Sequence, residues 1–61
     1  MTKFQSKQMR MIQLYINSGM VDVAARSLSA LIRSAMSVKA KNEMLDIARQ
    51  LNLKNHPEFI V

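Results

Sequence analysis

The sequence predicts a single all-α domain, residues 1–61, of three short helices that form a small helical bundle or an open helical array completed by dimerisation. Three observations lead to this prediction. Apolar residues recur at helical spacing in three successive stretches of the chain. The one glycine and the one proline both lie outside those stretches, where helices need to stop. Hydrophobic residues make up 49% of the chain, a content higher than that of disordered proteins.

The first predicted helix covers residues 3–17. At about 100° per residue, its apolar side chains share one broad face, whereas Lys3, Lys7 and Arg10 share another. Gly19 follows this helix and is predicted to close it in a left-handed backbone conformation. The apolar face contains Phe4, Met9, Met11, Ile12, Tyr15 and Ile16.

The second predicted helix covers residues 21–35, and its apolar stripe is continuous from one end to the other. Asp22 lies in its first turn, where a carboxylate interacts favourably with the helix dipole. The stripe contains Val21, Ala24, Ala25, Leu28, Leu31, Ile32, Ala35 and Met36. A second row of mostly small residues lies on a flank outside this stripe and contains Val23, Ser27, Ala30 and Ser34.

The flank of small residues allows another helix to approach closely, near the lower end of the usual spacing of roughly 8–10 Å between helix axes. The simplest geometry places the second helix at the centre, with the first and third helices on either side. The other geometry packs a second copy of the same helix on the flank, in a dimer. Alanine and serine are also common on helix surfaces, so a flank without any contact is a third interpretation.

The third predicted helix covers residues 38–52, with Ser37 as its N-cap. Pro57 lies beyond the last periodic stretch and biases His56 away from helix. A flexible tail is therefore predicted over residues 54–61. The apolar face of the third helix contains Val38, Ala40, Met44, Leu45, Ile47, Ala48 and Leu51.

The length of the chain limits its core, since a 60-residue domain buries only about 60% of the surface that its unfolded chain exposes. Small domains are usually reinforced by disulfides, metals or association with another chain. The sequence has no cysteine and one histidine, which excludes disulfides and a conventional zinc site. We therefore expect a homo-oligomer, most simply a dimer, without a cofactor. Exceptionally good packing within one chain is the alternative.

No pattern in the sequence is typical of an enzyme. Glu43 and Asp46 share a helix face with other charged residues and are predicted to be solvated. Gly19 is the only glycine, so there is no glycine-rich phosphate loop. We expect a non-enzymatic accessory or regulatory protein that acts by binding a macromolecule. Its cysteine-free, methionine-containing composition is typical of small bacterial and bacteriophage proteins.

The net charge of +5 favours acidic partners, although the same charge could simply keep an apolar chain in solution. A protein partner is the leading expectation. Two candidate surfaces follow from the helix faces. The candidate basic contact surface contains Lys3, Lys7, Arg10, Arg26 and Arg33. The candidate partner or dimer surface contains Met11, Met36, Val23, Ser27, Ala30 and Ser34.

A DNA- or RNA-binding regulator is the alternative, because the region around Gly19 partially resembles a helix-turn-helix. Its turn would span residues 17–20, and Leu28 stands where the motif has a buried apolar residue. Tyr15 departs from the motif, which has a small residue at this position because the two helices pass closely there.

A membrane-surface role is the weakest expectation, since the three apolar faces are better buried against one another. No stretch of the sequence approaches the about 20 apolar residues of a membrane-spanning helix. We therefore expect a cytoplasmic protein.

Overall fold

A computed structural model describes residues 3–61, and this part of the chain contains three α-helices and no strand. The helices are α1 (Lys3–Asn17), α2 (Val21–Arg33) and α3 (Val38–Gln50). The predicted all-α fold is confirmed. α2 packs against α1 on one side and α3 on the other, whereas no Cα atom of α1 comes within 8 Å of α3. The helices therefore form an open array around α2, as the simpler of the two predicted geometries requires.

Gly19 closes α1 as predicted. Its φ angle of 81° lies in the left-handed region. The N–H of Gly19 donates to the Ile16 carbonyl at 3.0 Å, and the N–H of Met20 donates to the Tyr15 carbonyl at 2.8 Å. These two hydrogen bonds form a Schellman motif, which satisfies carbonyls that the last turn of a helix would otherwise leave unpaired. The short turn folds α2 back along α1.

α3 begins at the predicted N-cap but ends two residues earlier than predicted. The Ser37 hydroxyl oxygen accepts a hydrogen bond from the Ala40 N–H at 3.1 Å. At the other end, Asn52 adopts a φ of 59°. The amides of Asn52 and Leu53 donate back into the last turn of α3 at 3.2 and 2.9 Å. A second Schellman motif thus stops the helix, because asparagine tolerates the left-handed conformation better than most residues.

The core lies between the inner face of α2 and the elements that cover it. The predicted stripe of α2 is buried except near its ends, where Val21 is exposed and Met36 is 98% exposed. Met36 leaves the stripe because α2 ends at Arg33, two residues before the predicted end. The buried apolar residues are Ile12, Ala24, Ala25, Leu28, Leu31, Ile32, Ala40, Met44, Ala48, Leu53 and Phe59.

α1 contributes less to the core than its apolar face predicts. Ile12 is its one buried residue. Phe4 is 64% exposed, and Met11 is also exposed. The reason is geometric, since α2 is the one described helix whose backbone lies close to α1, and one neighbour covers a narrow part of a broad face. Partly buried apolar residues of α1 line the edge of the core: Met9, Tyr15 and Ile16.

Residues 53–61, the C-terminal segment, pack against α2, where the sequence predicted a flexible tail over 54–61. Phe59 reaches the core and is 9% exposed. The N–H of His56 donates to the Leu53 carbonyl at 3.0 Å, and the N–H of Phe59 donates to the His56 carbonyl at 2.9 Å. The proline excludes a helix here but does not exclude burial. The two buried side chains of this segment, Leu53 and Phe59, lie six residues apart. Two positions at this spacing show neither helical nor strand periodicity.

A candidate binding groove beside α2

An open groove of about 330 Å³ lies between α1 and α2. Three of the four predicted flank residues form its α2 side, and two residues from the first two turns of α1 form the facing wall. The flank of small residues is therefore a surface that α1 leaves partly uncovered. The residues that line the groove are Phe4, Gln8, Ser27, Ala30, Leu31 and Ser34.

The short side chains of α2 are the reason that the groove exists. Ala30 and Ser34 are exposed and Ser27 is half-buried, so none of them projects far enough to fill the space. The Ser34 hydroxyl donates to the Leu31 carbonyl at 2.9 Å, which satisfies its donor locally. Val23, the fourth predicted flank residue, is half-buried and is not part of the groove lining.

Phe4 forms the apolar wall of the groove. On α1, Met11 stands seven residues later, about two helical turns away and on the same face. Fully burying a phenylalanine side chain contributes about 1.5–3 kcal/mol. Because Phe4 is 64% exposed, much of that free energy is still available to a partner that covers it.

α1 also carries the positive charge that borders the groove. Lys3, Lys7 and Arg10 are exposed. None of the three forms a hydrogen bond or an ion pair with another residue in the 3–61 range. Phe4 and Lys7 are three residues apart and are therefore neighbours on the helix surface. Lys7 therefore lies beside the apolar wall, whereas Lys3 and Arg10 lie further round the helix. α1 contains no acidic residue to neutralise these cations.

The two arginines of α2 are engaged elsewhere. The Arg26 Nε lies 3.4 Å from the Glu58 Oε2, and the Arg33 Nη1 donates to the Ile60 carbonyl at 2.6 Å. Both arginines therefore hold the C-terminal segment. The basic surface predicted from the sequence therefore separates into two parts, the three exposed cations of α1 and the two arginines of α2 that bind the C-terminal segment.

A second apolar surface lies where α2 connects to α3. Met36, predicted as a partner or dimer contact, is 98% exposed, and Val38 is 74% exposed. Ile60, whose carbonyl binds Arg33, is 62% exposed at the same end of α2. These side chains place three large apolar residues in solvent around one end of α2.

The sequence did not predict Phe4 and Gln8 as groove residues. Phe4 was predicted to lie on the apolar face of its helix. A signal was present in the sequence. In an antiparallel hairpin, the start of α1 lies beside the end of α2, and that end carries small side chains on its flank. An aromatic side chain at that position has too little opposite it to become buried.

Within residues 3–61, no three histidine, cysteine, aspartate or glutamate side chains lie close enough together to hold a metal ion. None of the helices described is both long enough and apolar enough to cross a bilayer. Comparison with protein-family models, curated proteins and solved structures gives no match for this chain. The surfaces of the chain itself therefore carry the functional interpretation.

Proposed function

We propose that the protein is a non-enzymatic accessory or regulatory protein that binds another protein through the groove between α1 and α2. The exposed Phe4, facing a row of small side chains across the groove, is the observation that supports this proposal most directly. Binding hot spots are typically pockets in which one large apolar side chain becomes desolvated. A groove of about 330 Å³ that opens to solvent suits a projecting side chain of the partner, which would cover Phe4.

Affinity capture from an extract of the native cells tests this proposal. Ala30→Leu fills the groove while keeping a good helix former, and Asn42→Leu makes a matched change on the exposed surface of α3. We expect at least one protein to be captured by the wild type and by Asn42→Leu, but not by Ala30→Leu, with or without nuclease. Identical capture by all three proteins would contradict the groove as the binding site.

We further propose that the protein acts as a homo-oligomer, most simply a dimer. The support comes from the exposed Met36 and Val38, which a monomer leaves in water. Sedimentation should show a species heavier than the 7.0 kDa chain at micromolar concentration. Its melting temperature should rise with protein concentration, because association stabilises the folded state by mass action.

Met36→Glu should reduce this self-association, whereas Asn42→Glu on the exposed face of α3 should not. A monomer whose melting temperature does not depend on concentration would contradict the proposed assembly.

Binding to a nucleic-acid backbone is the second candidate, and the cations of α1, which pair with no carboxylate among residues 3–61, favour it. α2 is poorly suited to be a recognition helix, because its inner face lies in the core and Arg26 and Arg33 bind the C-terminal segment. A gel-shift titration at two salt concentrations distinguishes the candidates. Each phosphate contact contributes about −0.9 to the slope of log affinity against log salt on duplex DNA.

Replacing both Lys7 and Arg10 by alanine should flatten that slope by up to about two units. Tight, salt-sensitive binding to DNA at physiological salt would place this candidate ahead of the protein partner.

A further inference from the structure

We infer that the groove binds an amphipathic α-helix of a partner protein, one that carries a large apolar side chain at its centre and carboxylates along one edge. This inference rests on the proposed function, because it names the chemical class of the partner that the same groove would bind.

The shape of the groove favours a helix. Ser27 and Ala30 of α2 and its C-cap Ser34 stand at positions i, i+3 and i+7, so they form a row along the helix that is about 10 Å long. Small side chains in such a row let a second helix axis come close. Phe4 rises on the α1 side of this row and would contact the apolar stripe of an incoming helix. The occupant would lie over the junction of α1 and α2, in the helix-in-groove mode of peptide recognition.

The charge around the groove favours an acidic partner. The groove lining itself contains no charged side chain. Lys3, Lys7 and Arg10 follow the outer edge of α1, and residues 3–61 offer them no carboxylate. Carboxylates on the neighbouring edge of a bound helix would meet these cations at the rim, where complementary charges speed association and select the partner.

A second copy of this chain fits the groove poorly. Each copy carries a net charge of +5 and would bring its own basic row. Asp46 lies 3.5 Å from Arg49, and Glu58 lies 3.4 Å from Arg26, so these two carboxylates already have a cationic partner. The apolar faces of α2 and α3 are occupied in the core, and neither offers an acidic, apolar-striped helix to another molecule.

The C-terminal segment already packs against α2 through an apolar anchor and an adjacent carboxylate. Phe59 supplies an aromatic anchor to the core, and the adjacent Glu58 supplies a carboxylate to Arg26. The groove offers two similar complements, an apolar wall at Phe4 and the cation of Lys7 beside it. A partner with an apolar anchor beside a carboxylate would therefore repeat at the groove the arrangement that residues 58 and 59 form beside Arg26.

Three synthetic peptides of equal length test the inference on the full chain. The first is an amphipathic helix with a leucine stripe and glutamate on both edges. The second replaces each glutamate by lysine, and the third keeps the acidic composition but shuffles the order so that no stripe remains. Fluorescence anisotropy of each labelled peptide measures its affinity at low and at physiological salt. We expect the first peptide to bind at least about tenfold more tightly than the other two.

Variants of the protein then locate the binding. Ala30→Leu and Lys7→Glu should each weaken binding of the first peptide by about tenfold. Asn42→Leu and Lys41→Glu introduce the same two residues at exposed positions of α3, whose Cα atoms all lie more than 8 Å from those of α1, and should leave the affinity unchanged. Circular dichroism checks that each variant folds, and Ser34→Gln, at the groove, replaces Ala30→Leu if that protein is unfolded.

Different failures have different meanings. Equal binding of the glutamate and lysine peptides would overturn the acidic assignment, and equal binding of the shuffled peptide would overturn the helix. DNA binding that Lys7→Glu abolishes and Ala30→Leu leaves intact, without peptide binding, would overturn both. If no peptide binds but Ala30→Leu still abolishes capture of a cellular protein, this inference fails and the proposed function stands. If capture is also insensitive to Ala30→Leu, the proposed function fails as well.

Discussion

The two phenylalanines of the chain lie at two different flanks of α2, and one is buried whereas the other is exposed. On the closed flank, Phe59 is 9% exposed, and the C-terminal segment lies across Arg26 and Arg33. On the open flank, Phe4 is 64% exposed and lies across the groove from Ala30. The residue type is the same, so apolarity does not decide burial here. Burial depends on whether the chain provides a second element to cover the site.

The difference separates the flank that contributes to stability from the flank that we propose for binding. A buried aromatic side chain contributes to the stability of the folded state. An exposed one can instead contribute to the free energy of binding when another molecule covers it. The closed flank should therefore respond to mutation mainly in unfolding experiments, and the open flank mainly in binding experiments.

The sharpest test of this comparison applies one substitution to both flanks. Phe59→Ala should lower the free energy of unfolding by about 3–5 kcal/mol, because it leaves a cavity under the C-terminal segment. Phe4→Ala should change it by less than about 0.5 kcal/mol, since the side chain is largely in solvent. Urea denaturation of both variants measures the two effects. Equal losses would mean that Phe4 is covered in solution.

A second test compares two leucines of α2. Leu28→Ala should cost about 2–5 kcal/mol, because the side chain is fully buried between the helices. Leu31→Ala should fall at the lower end of about 2–5 kcal/mol, since Leu31 lines the groove and solvent can fill the space that it leaves. Chemical denaturation gives both values, and a larger loss for Leu31 would show that the groove is closed in solution.

The ion pair of the closed flank should have a smaller effect. Arg26 and Glu58 have side chains that are 62% and 44% exposed, so solvent screens their attraction. A double-mutant cycle with Arg26→Ala and Glu58→Ala should give a coupling free energy below about 1 kcal/mol, decreasing with added salt. A larger, salt-independent coupling would indicate a pair that is buried, for example in an oligomer.

The smallest expected effect belongs to the open flank itself. Ala30→Leu should change the free energy of unfolding by less than about 0.5 kcal/mol, because the groove has room for the added atoms and both residues favour helix. Thermal unfolding followed by circular dichroism checks this. A marked loss of stability would mean that the groove is too narrow to bind a side chain.

Local signals in the sequence predicted much of this fold. Periodicity and two punctuating residues, Gly19 and Ser37, predicted the starts of α2 and α3 at Val21 and Val38. The continuous stripe of α2 predicted its buried face, whereas its flank of small residues was compatible with a central position, a dimer contact or no contact at all. The early end of α3 was missed, because Asn52 takes a conformation that glycine adopts more often.

The parts that were missed depend on contacts between distant residues. Whether Phe4 or Phe59 becomes buried is decided by the element that lies opposite, and no periodic pattern reports this. For the candidate site, the sequence identified Ser27, Ala30 and Ser34 but not the wall that faces them. The dimer and the partner stay predictions.

The contacts of the C-terminal segment also set an order of events in folding. The Arg26–Glu58 and Arg33–Ile60 contacts join residues 32 and 27 positions apart, whereas the turn after α1 closes over a few residues. The entropy lost on loop closure grows with loop length, and contacts between distant residues slow folding. We therefore expect the hairpin of α1 and α2 to form early and Phe59 to dock last. The same segment should open first in the native state, so Phe59→Ala should accelerate unfolding while leaving the folding rate nearly unchanged.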